Sequence, residues 1–315
     1  MIALCTVLLS LVSALVPTKT WFAPGQPPSV TVKAQGDVTL VLTDFFGKPI
    51  EPEGDPEVKA GQVVDVRALF PLVRMSGTYL LFAMPKGARE AGQFAGTPLV
   101  IGVRDSRNPL VKGTLVTKVE PLRYAVMTTD RGAPVTLAFY YDVAPNTVDN
   151  FLRLAGERFY DGLTFHRIVP EFVVQGGDPR GDGNGDPGYH VEAEFSDVKH
   201  EAGVVSMARL RGRREAPGVP AEPEAANSAG SQFFICLNYE NTRKLDRKYT
   251  AFGRVVRGME TVKAIAAEPL ADAESGRPTK PPVIKSIEVR MVTAGDNPYA
   301  ELMVRPRATT RPAGN

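Results

Sequence analysis

The chain has 315 residues, of which 43% are apolar and 23% charged, with 37 basic against 35 acidic side chains. That length accommodates two domains, each with its own core. The near balance of charge speaks against a globally basic nucleic-acid binder or a protein built for acidic ligands, and two cysteines imply no disulfide framework.

Residues 2–16 (IALCTVLLSLVSALV) form an uncharged apolar run. It is shorter than the roughly 18 residues that cross a bilayer, and matches the apolar region of a signal peptide. Residues 1–17 read as a signal peptide, with Val12-Ser13-Ala14 suited to serve as its small-residue cleavage site, although no Lys or Arg precedes the run. The expectation is export, periplasmic or extracellular, with no membrane insertion after cleavage. The alternative is an uncleaved membrane anchor. Cys5 lies inside the apolar run rather than after it, unlike a lipoprotein cysteine.

From Ser29 to Arg104 short alternating runs follow one another: SVTVKA, VTLVLT, VVDVRAL, GTYLLFAM and PLVIGVR. Clusters such as Phe46-Gly47-Lys48-Pro49 and Glu53-Gly54-Asp55-Pro56 separate them. The pattern predicts a small antiparallel β-sandwich-like domain over residues 22–112. It holds no histidine and no cysteine, hence no catalytic constellation, and reads as a structural or binding module.

Asp105 to Gly113 reads as a linker to a second domain over 114–292. TLVTKVEP and YAVMTTDRGAPVTLAFYYD read as strands, the latter turning at Asp130-Arg131-Gly132. Asn146 to Ala155 carries Val148, Phe151, Leu152 and Ala155 at helical spacing, after a Pro145 suited to the first helical position. Gly258 to Ala267 predicts a second helix through Met259, Val262, Ile265 and Ala266, and residues 283–292 a last strand. The Pro-, Arg- and Ala-rich tail 293–315 reads as disordered.

The chemistry concentrates in Phe165 to Asp178 (FHRIVPEFVVQGGD), two short β runs around a Pro170 turn. Alternation puts Phe165 and Arg167 on one face, with His166 and Ile168 on the other. Val173 and Gln175 share a face of the second run, and Gly176-Gly177 ends it. In Gly230 to Leu237 (GSQFFICL), Gln232, Phe234 and Cys236 point one way, and Phe233, Ile235 and Leu237 point into the core.

FHRIVPEFVVQGGD closely resembles the signature of the cyclophilins. GSQFFICL and Leu245 to Val255 (LDRKYTAFGRV) are similar to two further segments of that family, in the same order. The resemblance spans about residues 121–292 and leaves the first third of the chain unexplained. It implies a mainly β fold with an eight-stranded antiparallel barrel capped by two helices. It also implies peptidyl-prolyl cis-trans isomerase activity assisting protein folding on unfolded or extended proline-containing polypeptides. By resemblance the substrate proline sits against Phe172, Val173, Phe234 and Leu245, with Tyr249 as an aromatic cover. Gln232 and the backbone around Ala208 and Arg209 would bind the substrate main chain. Arg167 is the candidate catalytic donor and Gln175 its holder. No cofactor or metal is needed, because no covalent bond is broken. The alternative is a proline-peptide binding module with little turnover, which has no need to keep Arg167, Gln175 and Phe234 together.

The chain departs from the pattern at Lys244, where many eukaryotic members carry tryptophan. That resembles bacterial members and implies weak cyclosporin binding. Tyr249 replaces a frequent histidine, and Arg209 a small polar residue. A charged insertion, Arg211 to Glu224, reads as a solvated loop. Gly183 to Gly188 (GNGDPG) formally matches a dinucleotide loop, yet its carboxylate and proline argue against a phosphate. Asp182, Asn184 and Asp186 resemble a calcium loop without its glycine and final glutamate. His166, His190 and His200 lack metal-ligand spacing. His166 reads as a hydrogen-bonded member of its strand, and Cys236 as inert packing.

Overall fold

The computed structural model describes residues 14–88, 93–106, 113–212 and 222–300. The leader before Ala14, the middle of the charged insertion and the tail from 301 lie outside the described residues. The chain divides into two compact units, one made of Met1–Leu122 with Met291–Asn315, the other of Arg123–Arg290.

The first unit holds two antiparallel sheets. Leu15–Pro17, Ser29–Val32 and Val63–Asp65 form one, with Ser29–Val32 central. The larger sheet runs in the order Trp21–Phe22, Leu115–Pro121, Leu99–Asp105, Gly77–Pro85, Val38–Asp44 and Pro49–Ile50, with Glu57–Val58 also paired to Val38–Asp44. Residues from both sheets, Val30 and Val32 with Leu40, Leu42, Leu81 and Ile101, meet in one buried cluster. Burying alternate side chains of each sheet against the other is what stabilises a sandwich.

Four expectations change here. VVDVRAL is a strand only to Asp65. The Asp65 carboxylate then accepts from the backbone amides of Arg67 and Ala68 and starts a helical turn, Val66–Leu69. Residues 107–112 of the expected linker lie outside the described residues, but both its flanks are in the first unit: Ser106 N donates to Thr114 O at 2.7 Å, and Leu115–Pro121 pairs along the whole of Leu99–Asp105. TLVTKVEP therefore belongs to the first unit. So does the start of the tail, where Tyr299 is buried with its ring 6.3 Å from Phe45.

The second unit is an eight-stranded antiparallel sheet: β1 (Arg123–Thr129), β2 (Val135–Phe139), β3 (Arg167–Val169), β4 (Val173–Gly176), β5 (Val204–Met207), β6 (Phe233–Cys236), β7 (Ala251–Arg257) and β8 (Ile284–Met291). The order is β3-β4-β6-β5-β7-β2-β1-β8. The sheet curls until its ends approach: Thr164, just before β3, bridges Val283, just before β8. Two helices, α1 (Pro145–Gly156) and α2 (Met259–Ala266), accompany it. Phe151 of α1 is fully buried, with ring centroids 5.0–5.6 Å from those of Phe139, Tyr160, Phe233 and Phe252. No side chain of its own caps α1. Glu194 does so from a distant loop, accepting from the amides of Asn146 at 3.2 Å and Thr147 at 2.9 Å, where a helix N-terminus favours negative charge.

Candidate active site

The register of the sheet builds one row of side chains across four strands. Arg167 of β3 lies opposite Gln175 of β4, Gln175 opposite Phe234 of β6, and Phe234 opposite Ser206 of β5. Directly opposed residues share a face. Ile168, Val174, Ile235 and Val205 form the next row on the other face, and all four are fully buried. One face of the sheet is thus packed core, and the other presents a cation, an amide and an aromatic ring in line.

The row is wired by hydrogen bonds. Arg167 Nη1 donates to Gln175 Oε1 at 3.3 Å, and Gln175 Nε2 donates to Gln232 Oε1 at 3.0 Å. Gln232 Nε2 then donates to the carbonyls of Gly183 at 3.0 Å and Gly185 at 2.8 Å. Each amide spends its oxygen on one neighbour and its nitrogen on the next, so the chain of bonds fixes both amide orientations. Burial pushes the Arg167 guanidinium down from its usual range, against the pull of nearby Tyr249. A guanidinium remains protonated regardless, so its charge stands in a partly desolvated place, where it acts more strongly than in water.

Phe234 is 4% exposed and meets Tyr249 edge-on at 5.7 Å. Val173 and Leu245 are buried, and Phe172 is half-buried. Arg209 lies over the Tyr249 ring at 4.3 Å from its centre, and its Nε donates to Lys248 O at 2.9 Å. Lys244 Nζ lies 4.4 Å from the centre of the Phe172 ring. Ala208 N donates to Gln232 O at 2.9 Å, tying the end of β5 to the start of β6.

Two expectations about the signature stretch fail locally. Regular β3 starts only at Arg167, so alternation does not reach back to Phe165. Phe165 is fully buried and meets Phe233 edge-on at 6.2 Å, on the core side, whereas Arg167 is on the other face. His166 is not hydrogen-bonded through its ring. Both nitrogens are buried without a partner, and burial pushes its pKa down, partly opposed by Asp178. Asp182 and Asp186 spend oxygens on their own turn, accepting from the amides of Asn184 at 2.9 Å and Gly188 at 2.6 Å. Burial raises the pKa of the Cys236 thiol, as expected for packing.

Sequence reasoning missed His200. Its ring stacks on Phe234 with centres 6.2 Å apart. His200 Nδ1 lies 3.1 Å from Asp246 Oδ1, its Nε2 lies 3.1 Å from Ser206 Oγ, and Tyr239 OH donates to Asp246 Oδ2 at 3.0 Å. Burial favours the neutral acid at Asp246, but hydrogen bonds from His200 and Tyr239 outweigh it and hold the carboxyl below its usual range. Ser206 is fully buried under this arrangement. Hydroxyl, imidazole and carboxylate therefore brace the strand row behind Phe234 rather than present a nucleophile. No local sequence cue joins residues so far apart.

Residues 124–289 match the family described as cyclophilin type peptidyl-prolyl cis-trans isomerase/CLD, over half of the chain. A peptidyl-prolyl cis-trans isomerase of Synechococcus elongatus is 45% identical over 130 residues, covering 41% of this chain and 78% of its own. Peptidyl-prolyl cis-trans isomerase B of Bacillus subtilis is 42% identical over 134 residues, covering 42% and 82%. A solved cyclophilin-type isomerase of Cryptosporidium parvum, determined in the presence of the dipeptide Ala-Pro, is 26% identical with a TM-score of 0.46, covering 54% of this chain and 99% of its own. By the family match, and with relatives of that name in several bacteria and eukaryotes, the chain belongs to the cyclophilin-type peptidyl-prolyl cis-trans isomerases.

Proposed function

We propose that Arg167 is the catalytic donor of this isomerase and that it works by stabilising a twisted prolyl amide. The barrier to rotation is about 18–20 kcal/mol, because the amide nitrogen shares its lone pair with the carbonyl. At the perpendicular geometry that lone pair is localised on nitrogen, and a fixed N–H donor binds it better than it binds either planar form. The observation that carries this reading is the Arg167–Gln175–Gln232 chain of bonds beside Phe234 and Tyr249. The apolar groups receive the proline ring, Gln175 holds the guanidinium, and Ala208 and Arg209 flank the substrate main chain. Gln232 acts chiefly on Gln175 and on the 183–185 turn, since its side-chain amide is engaged there. The clients are extended proline-containing segments of unfolded chains.

The test is Arg167→Ala in a protease-coupled or NMR exchange assay on a neutral Ala-Pro peptide. Turnover should fall at least about tenfold, or about 1.4 kcal/mol, while peptide affinity changes less. Unchanged turnover would exclude this role. A wild-type protein that binds the peptide without accelerating exchange would favour a binding module instead.

We further propose export, on the strength of the apolar leader, with cleavage after Ala14. Leu15–Pro17 pairs with Ser29–Val32, and Leu15 is 1% exposed, so a cut after residue 17 would remove a sheet strand. Mass spectrometry of the secreted fraction should find a mature chain starting at Leu15. An unprocessed chain in the membrane fraction would favour the anchor.

A further inference from the structure

Lys244 stands where the family pattern often has an aromatic, and the structure gives it a definite place. Its ammonium lies 4.4 Å from the centre of Phe172, a side chain assigned above to the proline pocket. Lys244 is exposed and makes no ion pair among the described residues, while the carboxylates of its own turns and the one paired with Arg247 are engaged elsewhere. Asp246 turns inward to His200 and Tyr239, Glu240 lies 3.7 Å from Arg243, and Asp197 lies 2.6 Å from Arg247. Glu171, beside Phe172, accepts from Asn238 Nδ2 at 3.1 Å. A second cation, Arg209, lies over the other aromatic wall, Tyr249.

We propose that Lys244 is a specificity residue, selecting prolines that have an acidic side chain immediately beside them. The proposal rests on the pocket assignment given under Proposed function. A cation held against an aromatic face costs little to keep there, because the ring's negative face partly replaces water. It remains available to a carboxylate arriving with the substrate. At a separation of several ångström near a protein surface such a pair favours the acidic peptide over its basic counterpart by about fivefold, and salt screens the effect. A tryptophan at this place would offer area without charge.

The experiment uses the whole chain and NMR exchange on uniformly blocked tetrapeptides at low and at high salt. The pairs are Ala-Glu-Pro-Phe against Ala-Lys-Pro-Phe, and Ala-Pro-Glu-Phe against Ala-Pro-Lys-Phe, with Ala-Ala-Pro-Phe as the neutral reference. In at least one pair the acidic peptide should be preferred about fivefold in kcat/KM at low salt, and the preference should shrink towards unity at high salt. Lys244→Gln should abolish that preference and Lys244→Glu should invert it. A ratio near one in both pairs, or the same ratio in Lys244→Glu as in the natural chain, overturns the proposal. Failure to accelerate exchange even in Ala-Ala-Pro-Phe overturns the isomerase reading beneath it, and the proposal with it.

Discussion

The imidazole of His200 lies nearly parallel to the ring of Phe234, its plane inclined by 25°. His200 therefore does two things at once: it backs the aromatic floor, and it ties β5 to the 245–249 turn through Ser206 and Asp246. His200→Phe keeps a ring behind Phe234 and deletes both bonds. We expect a loss of stability of about 1–3 kcal/mol, because Ser206 and Asp246 lose buried partners. Urea unfolding of the two proteins measures it, and an unchanged midpoint would show that the bonds contribute nothing net.

Gln175 is predicted to act only through Arg167. Gln175→Leu should lower kcat/KM by about threefold to tenfold, the effect of freeing a donor worth about 1 kcal/mol of positioning. In an Arg167→Ala background the same change should cost nothing more. Additive losses in the double mutant would mean that Gln175 has its own contact with substrate.

A second positioning contact comes from outside the sheet. Gly276 has φ +75°, and its carbonyl accepts from Ile168 N at 2.7 Å on the outer edge of β3. A Cβ at this position would stand 2.5 Å from Ile168 O and 3.3 Å from Arg167 Cγ. Gly276→Ala must therefore push β3, besides a left-handed backbone cost of about 1–2 kcal/mol. Turnover should fall with little change in peptide affinity, and the fall should vanish in an Arg167→Ala background. An equal fall in both backgrounds would assign the glycine to folding alone.

His166 predicts a pH effect on stability. Its folded pKa is depressed by burial, so the unfolded chain binds a proton more readily. The stabilisation is fully present above the ordinary histidine value of about 6.5 and is lost as pH falls from there through the depressed folded value. His166→Gln should flatten the loss of unfolding free energy on acidification between neutrality and about pH 5. Parallel curves for the two proteins would remove this role.

Most strand runs and both helices were legible because each depends on short-range periodicity, whereas the row from Arg167 to Phe234 joins strands far apart in the chain and only the resemblance pointed to it. Phe165 escaped that logic because the repeat holds only where the strand is regular, and regular pairing starts two residues later. The turn at Val66–Leu69 was hidden because β-branched residues mask a short capped helix. The 105–113 stretch looked like a linker because its Pro, Asn and Gly punctuation is that of a domain boundary, and the pairing of Leu115–Pro121 with Leu99–Asp105 is not visible in one sequence. His200, Asp246 and Gly276 reach the site only through tertiary pairing, which one sequence does not display.

Among the described residues the amino-terminal unit draws on segments before and after the isomerase unit, which lies between Leu122 and Met291 in the sequence. Synthesis runs from one end to the other, so this unit has its full set of residues only after the isomerase unit has been made. Tyr299, buried with its ring edge-on to Phe45, leaves the ribosome only after every residue of the catalytic unit has done so. The enzyme is thus the earlier of the two to have its complete set of residues, and a truncation that spares all of its strands but removes Tyr299 would injure the other module instead.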